Sequence, residues 1–403
     1  MKVGILTQSI NKNYGGIMQN YALQCVLQRM GYEVETLNWD SFRREHDHET
    51  IWDQFWHIIK TSISKFIFRR KRNYIWQQRS LFYNLCKTNK DFCDKHLNLS
   101  GWLWGEKQFR EYTVANHFDA LVVGSDQTWR PKFNNNGMLY RMFLDFAKDL
   151  PIKRIAYSAS FGVDTWEYTE EETQTCSQLL KLFDSISVRE SSGIDLCSNH
   201  LRVNNVICTL DPTMLLLKQD YNKLLDCIGT PHAEEGLMVY MLDYSEEKDK
   251  IVRTISYNNH LKCLLFIAKY CNLGTVDQSE LVDYILPPVD YWLSGFRDAK
   301  YVICDSFHGM VFSIIYNKPF VVFSNQNRGR ARFLSLLNQL GLQDRIIEES
   351  SDDYQRILDF PIDWKDVNNK LAKLRSVSIH YLENALRYER KKRLRTIDIY
   401  TEI

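Results

Sequence analysis

The 403-residue sequence lacks any charge excess: 51 Lys and Arg stand against 50 Asp and Glu, a formal charge of +1. That balance removes the electrostatic case for nucleic-acid binding, so no nucleic acid is expected as a partner and any anion specificity must be local. Ten cysteines are present, yet there is no Cys-x-x-Cys and no paired spacing suited to a zinc knuckle or a redox motif, which fits a reducing, cytoplasmic setting. No apolar run approaches the length of a membrane span. Met1–Ser9 passes from a short apolar stretch straight into Asn11, Lys12 and Asn13, without the hydrophobic segment of a signal peptide. Internal repeats and low-complexity tracts are missing too. What remains is an ordinary folded composition, 44% apolar and 25% charged. The chain is longer than one hydrophobic core usually supports, so about two domains are expected. Aromatic residues make up 13% and include ten Trp, a content that serves sugar stacking and core packing alike.

Lys2–Thr7 reads as a buried strand, followed by a turn at Asn13-Tyr14-Gly15-Gly16 and a helix with Ala22, Leu23, Val26, Leu27 and Met30 on one face. Gly31 ends that helix and Glu33–Leu37 supplies the next strand. Strand, glycine turn, helix and strand open a doubly wound α/β domain. Ala120–Val123, closed by Gly124, is a continuous apolar run of the kind parallel strands show, and Arg154–Ser158, Ser185–Val188 and Val206–Cys208 extend the set. Residues 41–118 lack strand alternation and are expected to form a helical insertion. After Asp211-Pro212-Thr213 the pattern restarts, with Leu237–Leu242, Leu261–Ile267, Tyr301–Cys304 and Phe320–Phe323 as strands. The expected organisation is a first Rossmann-like domain over 1–215 and a second over 216–345. A terminal segment, 346–403, carries an amphipathic helix at Lys370–Tyr388.

The sharpest local signal is Cys304-Asp305-Ser306-Phe307-His308-Gly309, directly after an apolar strand and before a helical run. Open α/β sheets bind ligands at the carboxyl ends of strands, where the next helix offers free backbone N–H groups to an anion. Ser306 and His308 suit that use, and they equally suit the capping of a helix. Arg189, in Ser187-Val188-Arg189-Glu190, either grips a carboxylate or phosphate in bidentate fashion or pairs with Glu190. Arg328, in Asn327-Arg328-Gly329-Arg330, follows the strand Phe320–Phe323 on a glycine loop, as an anion grip or as a solvated charge. Ser125, Asp126, Gln127 and Trp129 follow the strand that Gly124 closes. Hydroxyl-binding groups beside an aromatic platform suit a sugar, and a structural turn explains the same residues. His46-Asp47-His48 lies in a polar loop and is assigned no metal. Neither a metal nor a cofactor is expected.

Taken together, Asn13-Tyr14-Gly15-Gly16 with Gln19, Gly124-Ser125-Asp126-Gln127, Ser187-Val188-Arg189-Glu190, Asp211-Pro212-Thr213 and Ser306-Phe307-His308-Gly309 resemble the polysaccharide pyruvyltransferase family in their order and spacing. The resemblance implies an α/β, glycosyltransferase-like (GT-B-like) fold of two Rossmann-like domains facing across a cleft, with a terminal helix returning to the first domain. It also implies phosphoenolpyruvate as co-substrate, used to form a pyruvate ketal on a sugar of a surface polysaccharide or its lipid-linked precursor. On that reading His308 acts as acid and base, and Asp305 or Asp126 orients it or accepts a hydroxyl proton. Arg189, Arg328, Ser306 and Gly309 would hold the donor, and Asn13, Tyr14, Gly15, Ser125, Gln127 and Trp129 the acceptor. The sequence departs from the commonest family pattern, because Ser306-Phe307 stand where many members carry Arg-Leu before the histidine. One anion ligand is thereby lost, for which Arg328, Arg330 or Ser306 would have to compensate. Two other readings stay open: a nucleotide-sugar glycosyltransferase of the same architecture, and a non-catalytic member that binds glycan or a protein.

Within the insertion, Lys65–Trp76 mixes five basic residues with Phe, Ile, Tyr and Trp. It reads as a peripheral contact with an anionic membrane or as a helix with a solvated basic face and a buried aromatic one.

Overall fold

The computed structural model describes residues 1–10, 13–39, 51–66, 72–134, 137–267, 269, 271–323, 329–351 and 353–387. The His46-Asp47-His48 loop and Arg328 therefore lie outside the described residues.

The opening unit is β1 (Lys2–Leu6), α1 (Tyr14–Arg29) and β2 (Glu33–Thr36). Among the described residues, four helices then occupy the stretch without strand alternation: α2 (Ile51–Phe66), α3 (Ile75–Leu85), α4 (Lys87–His96) and α5 (Gly105–Ala115). Next come β3 (Ala120–Val123), the single turn α6 (Met138–Arg141) and β4 (Lys153–Ala159). The domain continues with α7 (Glu170–Leu180), β5 (Ser185–Val188), α8 (Ser192–Asn199) and β6 (Val206–Cys208). Its six strands pair in parallel in the order β2-β1-β3-β4-β5-β6.

Along these strands successive side chains enter opposite cores. Val3, Ile5, Val122 and Ile155 point into one, while Leu6, Leu121, Val123 and Ala156 point into the other. Both faces of β1 and β3 are covered, which is why these two strands read as near-continuous apolar runs rather than as alternation. Thr169 caps α7 by accepting from Glu172 N, and the Glu172 carboxylate accepts from Thr169 N in return.

The second half repeats the plan. It runs α9 (Lys218–Ile228), β7 (Gly236–Met241), α10 (Glu246–Asn259), β8 (Cys263–Ile267), α11 (Val289–Asp298) and β9 (Ala299–Cys304). Then follow α12 (Phe307–Ile315), β10 (Phe320–Phe323), α13 (Arg330–Leu340) and β11 (Ile346–Ile347). The five strands are parallel, in the order β11-β10-β9-β7-β8. β11 lies just past residue 345, so the second sheet extends beyond the boundary expected there; two residues are too few for a hydrophobic period to announce a strand.

The chain closes with α14 (Tyr354–Asp359) and α15 (Trp364–Arg387). α15 lies on the first domain: the Tyr381 hydroxyl donates to Ala156 O (2.8 Å), and Leu210 N donates to Ser378 Oγ (3.0 Å).

The strand order reverses between β1 and β3 in the first sheet and between β7 and β9 in the second. Crevices at the carboxyl ends of strands flanking such a reversal are where doubly wound folds take ligands. The loops after β1, β3, β7 and β9 thus border these crevices.

The two halves share one hydrophobic core. Tyr14, at the start of α1, stacks on Trp292 of α11 with ring centroids 5.1 Å apart and 17° between planes, and its hydroxyl donates to Pro287 O. The insertion spans the same seam, since Asn73 Nδ2 donates to Leu273 O (2.9 Å) and Val276 O (2.7 Å).

Candidate active site

His308 occupies the first turn of α12, directly beyond β9, and is buried. Its Nε2 lies 3.5 Å from Asp211 Oδ2 of the first domain and makes no hydrogen bond. Its other nitrogen faces the start of α1: a Cβ on Gly15 would fall 2.0 Å from His308 Nδ1. The missing side chain at residue 15 therefore admits a histidine from the other domain. With Asp211 on the Nε2 side, Nδ1 lies on the side that faces Gly15 and the start of α1.

Asp211 is fixed from several sides. Ser125 Oγ donates to its Oδ2 (2.9 Å), Arg189 Nη1 donates to the same oxygen (3.0 Å), and Thr213 donates to Oδ1 through N (3.0 Å) and Oγ1 (2.7 Å). Complete burial by itself raises the proton affinity of this carboxylate. The nearby His308 ring, the charge of Arg189 and the Thr213 hydroxyl outweigh it, holding Asp211 well below the usual carboxylate range. A depressed carboxylate contributes stability that is fully present above its unfolded pKa of about 3.9 and is lost as pH falls below it. Asp211→Asn is accordingly expected to lower stability at neutral pH and to flatten the further loss below about pH 4. Urea midpoints measured against pH check this; parallel curves for the two proteins would remove the pairing.

Arg189 is the hub of the cluster. Besides Asp211 it has Asp126 Oδ1 at 3.6 Å from Nη2 and Glu190 Oε2 at 3.9 Å from Nε, and its guanidinium lies 4.5 Å from the centre of the Phe307 ring. Nε and Nη2 are buried without hydrogen bonds. Asp126 follows β3 in the left-handed region, φ +75°, a conformation Asp tolerates through local hydrogen bonding. It accepts from Asn13 Nδ2 at 2.9 Å, tying the α1 N-cap to the cluster. Glu190 Oε1 accepts from Ser160 Oγ (2.9 Å), Phe161 N (2.8 Å) and Gly162 N (3.1 Å), which fixes the loop after β4.

Asn13, Gly15, Ser125, Asp126, Arg189 and His308 thus meet in one place, contributed by loops after β1, β3, β5 and β9. Four other expected positions have different employment. Asp305 is fully buried and turned away from His308: it accepts from Leu242 N (2.6 Å), Asp243 N (3.0 Å) and Lys248 Nζ (3.0 Å), so its oxygens close the β7 loop. Trp129 is fully buried, stacked at 4.9 Å on Phe143 with its indole N–H donated to Met142 O, and offers no platform to a sugar. Tyr14 is the interdomain contact described above. Gly309 is required by packing, because a Cβ there would lie 2.8 Å from Cys304 Cβ.

Ser306 is the buried N-cap of α12, without a side-chain cap bond, and Gln127 accepts from Arg130 Nη1 at 3.0 Å. Arg330 pairs at the surface with Glu348 (3.1 Å).

Two participants were not singled out from sequence. Asp211 had a signal, an Asp-Pro-Thr turn after a strand, but nothing local tied it to a histidine 97 positions later (308 minus 211). Arg332 had none that set it apart from Arg328 and Arg330. It is buried with its guanidinium 5.6 Å from the centre of the Phe307 ring, the ring that Arg189 also contacts. Burial first, and the nearby Arg189 charge second, pull its pKa down to about 9. Among the described residues no group of three or more His, Cys, Asp or Glu is placed to hold a metal ion.

Two parallel Rossmann-like sheets joined at a buried cationic and acid–base cluster define a GT-B-like α/β protein. The UDP-GlcNAc 2-epimerase of Neisseria meningitidis, bound to UDP-GlcNAc, is similar to it with a TM-score of 0.52 at 11% identity, over 95% of this chain and 100% of that one. A Methanocaldococcus jannaschii UDP-GlcNAc 2-epimerase in complex with UDP-GlcNAc and UDP gives 0.47 at 11% identity, over 96% and 100% of the two chains. Acinetobacter baumannii MurG gives 0.43 at 11% identity, over 96% and 99%. The first of these likenesses shows the fold and says nothing of substrate. No curated protein sequence matches the chain. Within this fold the chain belongs to the polysaccharide pyruvyl transferase family, whose sequence profile matches residues 13–327.

Proposed function

We propose that the protein transfers the pyruvyl group of phosphoenolpyruvate to a sugar of a surface polysaccharide or its lipid-linked precursor, forming a pyruvate ketal. The observation that carries this reading is a buried histidine of one domain facing Asp211 and Gly15 of the other, with two buried arginines beside it. Phosphoenolpyruvate brings a carboxylate and a phosphate, and holding both against their mutual repulsion takes more than one cationic pole. Arg189 is one. Arg332, whose guanidinium contacts the same Phe307 ring, is the buried cation that stands in for the missing Arg-Leu arginine.

In the reaction the methylene carbon gains a proton, and the central carbon forms bonds to two sugar oxygens while its bond to the phosphate oxygen breaks. The two hydroxyl protons balance the step: one equals the proton placed on carbon, the other leaves with phosphate. His308 Nδ1 supplies and recovers protons, and Asp211 at Nε2 keeps the ring oriented. Asp126, held at the crevice by Asn13, is placed to accept a hydroxyl proton.

Ligand protection tests the donor. Phosphoenolpyruvate at about 100 times its dissociation constant is expected to stabilise the protein by about 2.7 kcal/mol. Protection by UDP-sugars with none by phosphoenolpyruvate would replace this reading with a nucleotide-sugar transferase. Phosphate release with a panel of sugars then identifies the acceptor.

A further inference from the structure

Helix α2 is built inside out. Its polar side faces the protein: Thr61 is fully buried, Ser62 Oγ and Tyr74 Oη lie 3.0 Å apart, and Lys65 Nζ donates to Gln77 Oε1 (3.3 Å) while sitting 4.7 Å from the centre of the Tyr74 ring. Its apolar side faces outward. Trp52, Phe55, Trp56, Ile63 and Phe66 recur at helical spacing and are all exposed, Trp52 at 71% and Phe66 at 78%. Trp76, at the start of α3, is exposed as well. A surface helix of a globular protein normally turns such a stripe to the core. A contiguous aromatic face left outside marks a contact with something apolar.

The charge around the stripe identifies the occupant. Residues 54–90 contain nine Lys and Arg and no Asp or Glu, in a chain whose formal charge is +1, so the remainder sums to −8 (+1 minus +9). Among the described residues of this stretch, Lys60, Lys65, Arg72, Arg79 and Lys87 carry that charge on α2 and the segment after it, while Lys90 is paired with Asp94. Two copies of so basic a segment repel each other, which disfavours a dimer through this face. Trp and Phe beside a cluster of Lys and Arg match the chemistry of an anionic lipid surface, whose headgroup layer takes aromatic rings and whose negative charge attracts cations. No helix among the described residues is long and apolar enough to cross a membrane, so the contact is peripheral.

We infer that α2 is a membrane-docking helix that lays its aromatic stripe on an anionic bilayer, with the acid-free stretch 54–90 supplying the electrostatic attraction. The inference stands apart from the choice of donor, since no α2 residue belongs to the cluster around His308. It agrees with a lipid-linked acceptor, which such docking brings to the enzyme.

Co-sedimentation of the full chain with vesicles tests it, using phosphatidylcholine alone and phosphatidylcholine with phosphatidylglycerol. Binding is expected only to the anionic vesicles, weakening as salt rises because the attraction is screened. A Trp52→Ser, Trp56→Ser, Phe66→Ser protein is expected to bind at least about tenfold more weakly while melting at the wild-type temperature, since these side chains are exposed. Wild-type protein that stays in the supernatant with anionic vesicles at low salt overturns the inference. So does a triple variant that binds like wild type, or a wild-type dimer that the triple substitution dissociates.

Discussion

A His308→Gln protein is expected to fold and to lose turnover by about 10²–10⁴-fold, the span that removal of a positioned acid–base group produces. Glutamine keeps a polar side chain in the narrow space against Gly15, whereas alanine would leave a void between the domains. Asp211 retains Ser125, Arg189 and Thr213 as partners after the change, so its charge stays compensated. Melting within about 4 °C of wild type is therefore anticipated, as for a stability change of roughly 1 kcal/mol. Phosphate release from phosphoenolpyruvate in the presence of acceptor measures the loss. Near-normal release by the folded variant would remove His308 from the chemistry and leave it as an interdomain packing residue.

The second large effect is expected from the smallest substitution. Gly15→Ala places a methyl group 2.0 Å from His308 Nδ1 and 2.2 Å from its Cγ, distances no structure sustains, so the ring must move or the domains must part. Alanine is the better helix former by about 1 kcal/mol, and α1 itself gains from the change. A displacement of about 1 Å at a reacting group is sufficient to cost about 10²-fold in rate. Turnover should fall by at least that factor while the circular dichroism spectrum is unchanged. Wild-type turnover in Gly15→Ala would mean that His308 does not work from the position it holds here.

Much of this architecture is written in local pattern. β1, β3 and β9 are short apolar runs ended by turns or polar junctions, and a strand buried on both faces has to look like that. His308, Arg189 and Asp126 were recognisable because they follow such strands directly, and the carboxyl ends of parallel strands face the ligand crevice whatever the distant sequence. The helices described between β2 and β3 were legible as a stretch lacking a period of two. The basic and aromatic run Lys65–Trp76 was legible as composition, though it could also be read as a helix with its aromatics buried.

The tertiary structure alone decided which side chains those positions turn toward one another. Asp305 and Trp129 sit at strand ends as candidate ligands do, yet Asp305 is taken by two backbone amides and Lys248, and Trp129 by a core of phenylalanines. The histidine's partner is an aspartate of the other domain, and a glycine at the start of α1 makes room for its ring. Composition and period fix which residues can be buried and which strand ends exist, because those depend on neighbours along the chain. The pairing of His308 with Asp211, the fit against Gly15 and the outward turn of α2 depend on how two separately folded sheets and an insertion pack, and no local pattern carries that distance.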